Sequence, residues 1–165
     1  MAASSGPLRV VTTHLEFHSQ SHRLSQVGRL RELHWEASAQ AYHPGLVQEA
    51  GPYAPLVRPI ASVICGDFNM DVGSKEYLAM LASFDDGILG LVDAWPTLYP
   101  DQPHDPTCGI FDHQQWPAGS HCRDFFFVTE DLRPRLASMR VDTETDASDH
   151  QPMALVIDDA EPGAL

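Results

Sequence analysis

The stretch VICGDFNMDVGS, residues 63 to 74, decides how the rest of the chain is interpreted. An apolar run stops there abruptly, and Asp67, Asn69 and Asp71 follow it closely. One interpretation is a turn, since Gly, Asp and Asn are common turn residues. The other is a site in which a buried strand presents carboxylate and amide groups that bind a metal ion or a phosphate.

The chain has 165 residues, which is enough for one ordinary domain and too few for two. It contains no apolar run long enough to cross a bilayer. Its first residues lack the charged start and apolar stretch of a secretory signal. We therefore expect a single cytoplasmic domain over residues 1–165.

Ten basic residues against 23 acidic residues give a net charge of −13. This balance disfavours broad binding to DNA or RNA, because such binding depends on neutralising phosphates. It does not exclude a site at which metal ions supply positive charge locally. Cys65, Cys108 and Cys122 form an odd and sparse set, which predicts reduced thiols and not a disulfide framework.

Hydrophobic periodicity predicts strands interposed with two helices. Leu24, Val27, Leu30, Leu33 and Ala37 recur at spacings of three and four, which predicts an amphipathic helix over residues 21–41. A shorter helix is expected from Ser74 through Phe84. Residues 43–59 and 93–121 are rich in proline and are predicted to be loops. The predicted strands are 8–17, 60–65, 124–129, 135–141 and 152–158, so the expected fold class is α+β.

Chemically capable side chains lie at the predicted ends of several strands. They are His14, Asp67, Asn69, Asp124, Asp149 and His150. Carboxylates can bind a divalent cation or activate water, while histidine and asparagine can stabilise charge on phosphoryl oxygens. This combination is typical of metal-assisted hydrolysis of phosphate esters.

Four segments in order, TTHLEF, GDFNMD, RDFFFV and SDHQPM, resemble motifs of the endonuclease/exonuclease/phosphatase superfamily, whose members have a DNase I-like fold. The stretch from LVDAWPTLYP to PTCGIF, residues 91–111, also resembles the family between its second and third motifs. The resemblance covers most of residues 8–157. It implies a divalent-metal-dependent phosphoric ester hydrolase in which water attacks the phosphate.

The resemblance also implies roles for the matching residues. Asp67 would orient or activate the water, Asn69 would hydrogen-bond the phosphate, and His14 would contact the scissile phosphate. These residues are therefore candidate catalytic residues, with His14 and Asn69 also binding substrate. Asp71 matches a commonly acidic position without a clear role.

The remaining matches concern the metal ion and a second histidine. Asp149 and Asp67 would approach the metal, which the resemblance implies is Mg²⁺, with Mn²⁺ as the second candidate. His150 would bind a phosphoryl oxygen, and Asp124 would accept a hydrogen bond from it and fix its orientation.

The family pattern includes two further motifs upstream of the TTHL strand, of which one carries the principal metal-binding glutamate. Only eleven residues precede Thr12, and we interpret Gln48-Glu49, inside a proline-rich loop, as a coincidence. We therefore expect a partial DNase I-like α/β sandwich: one mixed or antiparallel sheet with flanking helices, and the N-terminal half missing. The sheet face left bare predicts either self-association or a fragment of a longer protein.

Two alternatives remain open. A catalytically inactive homologue could act as an assembly or regulatory module, which the absence of the upstream glutamate favours. A structural zinc site could be formed in the 104–122 loop, although the spacing of its histidines and cysteines lacks the usual short paired pattern. The residues concerned are His104, Cys108, His113, His121 and Cys122. The substrate is expected to be a phosphate ester. The acidic net charge favours a small phosphodiester or a lipid head group over long nucleic acids.

Overall fold

The computed structural model describes residues 7–43, 58–85 and 87–159. Their elements, in chain order, are β1 (Arg9–His14), α1 (Gln20–Tyr42), β2 (Ser62–Asp67), α2 (Lys75–Leu81), β3 (Leu91–Asp93), α3 (Ala94–Leu98), β4 (Asp124–Thr129), a 3₁₀ turn (Glu130–Arg135), β5 (Leu136–Val141) and β6 (Met153–Ile157). Among these residues no helix is long and apolar enough to cross a membrane.

The strands form two sheets. Four of them make a mixed sheet in the order β1-β2-β4-β3, and β5 and β6 make a two-stranded antiparallel sheet. β1 and β2 are parallel, with α1 lying between them in the sequence as the crossover that parallel strands require. β4 pairs antiparallel with both β2 and β3. The expected α+β class with one mixed sheet and flanking helices is confirmed.

One face of the four-stranded sheet holds the main hydrophobic core. Ile64 of β2 and Phe125 and Phe127 of β4 lie on this face, because alternate residues of a strand share a side. They pack against Val27 of α1 and Met80 of α2 in one buried cluster. Each fully buried phenylalanine contributes roughly 2 to 3 kcal/mol by removal of apolar surface from water. The aromatic residues after Asp124 therefore serve the core.

The opposite face is covered only in part. Val63 and Val128 are buried there beneath Trp95 of α3 and Met139 of β5, with further apolar side chains of the β5–β6 hairpin around them. At the β1 edge of the same face, Val10 is 63% exposed. Among the described residues, the hairpin and α3 therefore cover this face over β2 and β4, and the predicted bare face is limited to the part near Val10 of β1.

Helix α1 matches its predicted span, but its buried stripe differs from the prediction at one position. Leu33 is 40% exposed, whereas the neighbouring His34 is buried. The reason is polar: Arg9 Nη2 donates to His34 Nδ1 at 2.7 Å, and His34 Nε2 donates to the carbonyl of Leu89 at 3.0 Å. A hydrogen-bonded histidine is thereby placed between α1 and β1 at a position that an apolar pattern cannot identify.

The 93–121 segment is more ordered than a loop at its start. Asp93 ends β3 and caps α3, since its Oδ1 accepts a hydrogen bond from the backbone N–H of Trp95 at 3.0 Å. Pro96 lies in the first turn of α3, where a missing N–H costs little. The prediction of a loop at this position was therefore wrong. The 43–59 loop, including Gln48 and Glu49, falls almost entirely outside the described residues.

Candidate active site

Three strand ends bring the first site residues together. The register of the mixed sheet pairs His14 of β1 with Asp67 of β2, and Asp67 with Asp124 at the start of β4. His14 Nε2 lies 3.4 Å from Asp67 Oδ2. Because β4 runs antiparallel to β2, its first residue adjoins the last residue of β2. Two carboxylates and an imidazole thus meet at one edge of the sheet.

His150 completes this group from the segment that leads into β6. It lies just before β6, and its Nδ1 is 2.8 Å from Asp124 Oδ2 while its Nε2 is 3.7 Å from Asp67 Oδ2. The hydrogen bond to Asp124 fixes the imidazole ring between the two carboxylates, which is the contact that the sequence analysis predicted for this pair.

The turn after β2 has an unusual backbone that orients Asn69. This residue has φ of +49°, in the left-handed region that asparagine tolerates better than most residues. Its backbone N–H donates to Asp67 Oδ1 at 2.7 Å, and its Nδ2 donates to the carbonyl of Leu15 at 2.8 Å. The GDFN segment is therefore a turn and part of the site at the same time, so the two interpretations of this stretch are compatible.

Gly66 allows the two parallel strands to approach closely at this point. Its φ is +131°, and a Cβ built on it would lie 2.0 Å from the carbonyl oxygen of Thr13. No side chain fits at that distance, so only glycine permits the ladder to continue to His14 and Asp67.

The electrostatics of the site follow from burial and from crowding of like charges. Burial raises the pKa of Asp67 above its usual value, and the Asp124 carboxylate raises it further, although the Asn69 N–H, His150 and His14 oppose this. The pKa of His150 is raised chiefly by its hydrogen bond to Asp124. A positive charge between the two carboxylates is therefore favoured.

The same residues form a group that is chemically suited to a divalent cation. Asp67, Asp124 and His150 each offer one ligand atom, and these atoms lie within 4.8 Å of one another. Asp124 was predicted only as the partner of His150, so its inclusion in this group is new. Asp149, predicted as a metal ligand, is exposed and lines the same pocket, which has a volume of about 490 Å³.

Sequence reasoning missed Thr107, which is fully buried and supports Asp124. Its hydroxyl donates to Asp124 Oδ2 at 2.6 Å and accepts hydrogen bonds from the backbone N–H groups of Arg123 at 2.9 Å and Asp124 at 3.1 Å. Its carbonyl accepts a hydrogen bond from the backbone N–H of Gln151 at 2.7 Å. The PTCGIF resemblance contained this residue, but a single threonine in a proline-rich segment indicated no role.

The other polar residues singled out by sequence make separate contacts. Arg123 Nη1 lies 3.1 Å from Asp71 Oδ1, which gives Asp71 a partner outside the carboxylate group. His104 Nε2 lies 2.7 Å from Asp93 Oδ2. Burial raises the pKa of the Cys108 thiol to about 12, and its Sγ lies 3.4 Å from His121 Nε2. Among the described residues, the group of His, Cys, Asp and Glu side chains that could hold a metal ion is Asp67, Asp124 and His150, which lies outside the 104–122 loop. The zinc alternative for that loop is therefore disfavoured.

Comparison with known families identifies one match. The sequence profile described as Endonuclease/Exonuclease/phosphatase family matches residues 6–150 of this chain. Comparison with curated protein sequences finds no match.

Solved structures give a consistent result at low sequence identity. A mannosyl-6-phosphatase from Bacteroides thetaiotaomicron is similar with a TM-score of 0.56 and 19% identity, over 90% of this chain and 51% of that one. Truncated Caenorhabditis elegans TDP2 gives a TM-score of 0.54 and 19% identity, over 88% of this chain and 52% of that one. The 3′ phosphatase NExo from Neisseria, bound to a product DNA hairpin, gives a TM-score of 0.60 and 17% identity, over 90% of this chain and 60% of that one. The chain thus spans about half the length of these structures, and the likeness concerns the fold.

Proposed function

This chain belongs to the endonuclease/exonuclease/phosphatase family, and from that premise we propose that it hydrolyses phosphoric esters with the aid of a divalent metal ion. The proposed reaction is attack of water on a phosphomonoester or phosphodiester in the pocket at the ends of β1, β2 and β4. The observation that carries the proposal is the convergence of Asp67, Asp124 and His150 within 4.8 Å in that pocket.

The proposal assigns the water to Asp67. Its carboxylate is half-buried, and its raised pKa makes it a better proton acceptor than an exposed aspartate once it is ionised. The Asn69 N–H holds one carboxylate oxygen, which leaves the other facing the two histidines. Asp67 would therefore orient the water and accept its proton.

Three further side chains would contact the phosphate. His14 is 75% exposed in its side chain and lies at the mouth of the pocket, where it would meet the scissile phosphate first. His150, held by Asp124, would donate to a phosphoryl oxygen, because a cationic imidazole stabilises the charge that develops there. The Asn69 amide has one N–H committed to Leu15 and a second that would donate to the phosphate.

The donor chemistry of the pocket fits a divalent cation. Asp67 and Asp124 would hold the ion, with Asp149 at the rim as a further carboxylate ligand. Mg²⁺ is the proposed ion because it is commonly bound by one or two carboxylates and retains several waters, and Mn²⁺ is the second candidate. When bound, such an ion polarises phosphoryl oxygens and lowers the pKa of water.

The charge of the chain supports a small phosphate ester as the substrate. A net charge of −13 opposes extended contact with nucleic acid backbones. The assembled carboxylate and histidine group favours a hydrolase over an inactive homologue, since an assembly module has no physical need of it. Self-association through the uncovered sheet face stays a prediction, which sedimentation of the purified chain would test.

Hydrolysis of bis(p-nitrophenyl) phosphate tests the proposed function. We expect turnover with Mg²⁺ or Mn²⁺, its loss in excess chelator, and a decrease of at least about 100-fold in Asp67→Asn, as for removal of a general base. Asp101→Asn, which changes an exposed carboxylate outside the pocket, is the matched control and should keep full activity. Equal rates in wild type and Asp67→Asn would contradict the proposal, and absence of turnover in the wild type would favour the inactive homologue.

A further inference from the structure

The pocket has a second wall that the proposed chemistry leaves unused. Phe17 and Trp116 form this aromatic wall, and they line the same pocket as the carboxylate and histidine groups. We propose that this aromatic wall is a subsite for a planar ring carried by the phosphate ester, beside the scissile phosphate. The inference rests on the proposed function, because it assumes that the polar wall binds phosphate.

Phe17 has an exposed aromatic side chain that packs against a buried one. Phe17 is 48% exposed, and its ring lies edge-to-face with the ring of Trp116 at a centroid distance of 5.9 Å and an interplanar angle of 75°. Trp116 itself is only 8% exposed. Single exposed apolar side chains are common in proteins, so exposure alone would carry no argument. The support and the position in the pocket distinguish this one.

The backbone at Phe17 is anchored by a buried ion pair. Arg23 Nη1 donates to the carbonyls of Glu16 at 3.1 Å and Phe17 at 2.8 Å. Arg23 Nε donates to Glu76 of α2 at 3.1 Å, and Glu76 is only 1% exposed. The backbone that carries the phenyl ring is therefore fixed, and the contact with Trp116 orients the ring itself. A preordered group loses little conformational entropy on binding, so more of its contact energy appears as affinity.

The two walls together define a ligand with two chemically different parts. A phosphate ester of a sugar or a short alcohol would satisfy the polar wall and leave the aromatic wall in contact with water. An ester that carries an aromatic ring beside its phosphate would satisfy both, since rings stack or pack edge-on with phenyl and indole groups. Stacked or edge-on aromatic contacts predict a gain in affinity of about tenfold for the ring.

Isothermal titration with phosphonates tests this subsite without requiring catalysis. In Mg²⁺ buffer, we expect benzylphosphonate to bind the wild-type chain about tenfold more tightly than methylphosphonate. Phe17→Ala should remove this preference, whereas Phe17→Tyr should keep it because the ring remains. Leu78→Ala, which removes a 59% exposed apolar side chain on α2, is the matched control and should leave the preference unchanged. A circular dichroism melt of each variant establishes that it is folded.

The outcomes separate the subsite from the proposed function. Equal binding of the two phosphonates to the wild type, or an unchanged preference in folded Phe17→Ala, would overturn the subsite and leave the phosphate site in place. Binding of neither phosphonate would overturn both. A further titration with thymidine 5′-monophosphate identifies the kind of ring: a Phe17-dependent gain there supports a nucleobase, and a gain confined to benzylphosphonate supports an aryl group.

Discussion

Replacing Thr107 with valine keeps the shape of the side chain and removes its hydroxyl, and we expect a large loss of stability. The hydroxyl accepts two backbone N–H groups, from Arg123 and Asp124, and donates to the Asp124 carboxylate at 2.6 Å. Thr107 is fully buried, so water cannot replace these partners. At about 1 kcal/mol for each neutral hydrogen bond and about 2 kcal/mol for the one to a carboxylate, the free energy of unfolding should fall by about 4 kcal/mol.

Urea denaturation followed by circular dichroism measures this loss, with Thr107→Ser as the matched control. Serine keeps all three hydrogen bonds and removes one methyl group, so its cost should be only about 1 kcal/mol. We expect the decrease in the free energy of unfolding to be several times larger for Thr107→Val than for Thr107→Ser, with an unchanged m-value. A valine variant within about 1 kcal/mol of wild type would refute the reasoning, because it would mean that the three bonds stabilise Asp124 very little.

Three further perturbations follow from the structure. Burial, and the positive charge of Arg9, lower the pKa of His34, so the unfolded chain takes up a proton at a higher pH than the folded chain does. As the pH is lowered from about 6.5, the free energy of unfolding should therefore decrease, by at most about 1.4 kcal/mol per pH unit. Urea titrations across a pH series should show that part of the slope disappear in His34→Gln, and identical slopes would count against it. Glu76→Ala leaves Arg23 without its buried partner and should cost about 3 to 5 kcal/mol in the same assay, whereas a loss below about 1 kcal/mol would mean that the pair is solvated. Gly66→Ala places a methyl group against the carbonyl oxygen of Thr13 and should cost at least about 3 kcal/mol, and a well-folded variant of normal melting temperature would disprove this steric argument.

Local patterns in the sequence were sufficient for most elements of the fold. The run after Asp124 predicted β4 over residues 124–129, and spacings of three and four predicted α1 to within a residue at each end. The short helix α3 was not predicted, because a proline at its third residue and several more behind it indicate a loop. Its cap depends on Asp93, whose role is visible only once the chain has folded.

The candidate site was predictable as a set of strand ends but not as an arrangement. Asp67 ends a strand and Asp124 begins one, so they become neighbours only because β2 and β4 run antiparallel. Sequence periodicity does not specify which strands pair or in which direction. Thr107 illustrates the same limit, since its contact with Asp124 joins residues 17 positions apart through a segment without regular structure. The resemblance to a family implied roles that geometry alone would not have assigned, and these roles stay predictions.

The attachment of the β5–β6 hairpin has a consequence for local unfolding of the molecule. Among the described residues, the two strands of the hairpin form backbone ladders only with each other. Apolar packing of Met139 with Val63 and Val128, and polar contacts such as Tyr99 Oη with Met139 and the Gln151 N–H with Thr107, join it to the remainder. The bond from His150 to Asp124 therefore spans a seam between two separately hydrogen-bonded units. Units of this kind open at lower free energy than whole domains unfold. We expect amide hydrogens in the hairpin to exchange before those in β2 and β4. On warming, the chain should therefore lose its candidate site while most of its secondary structure is still intact.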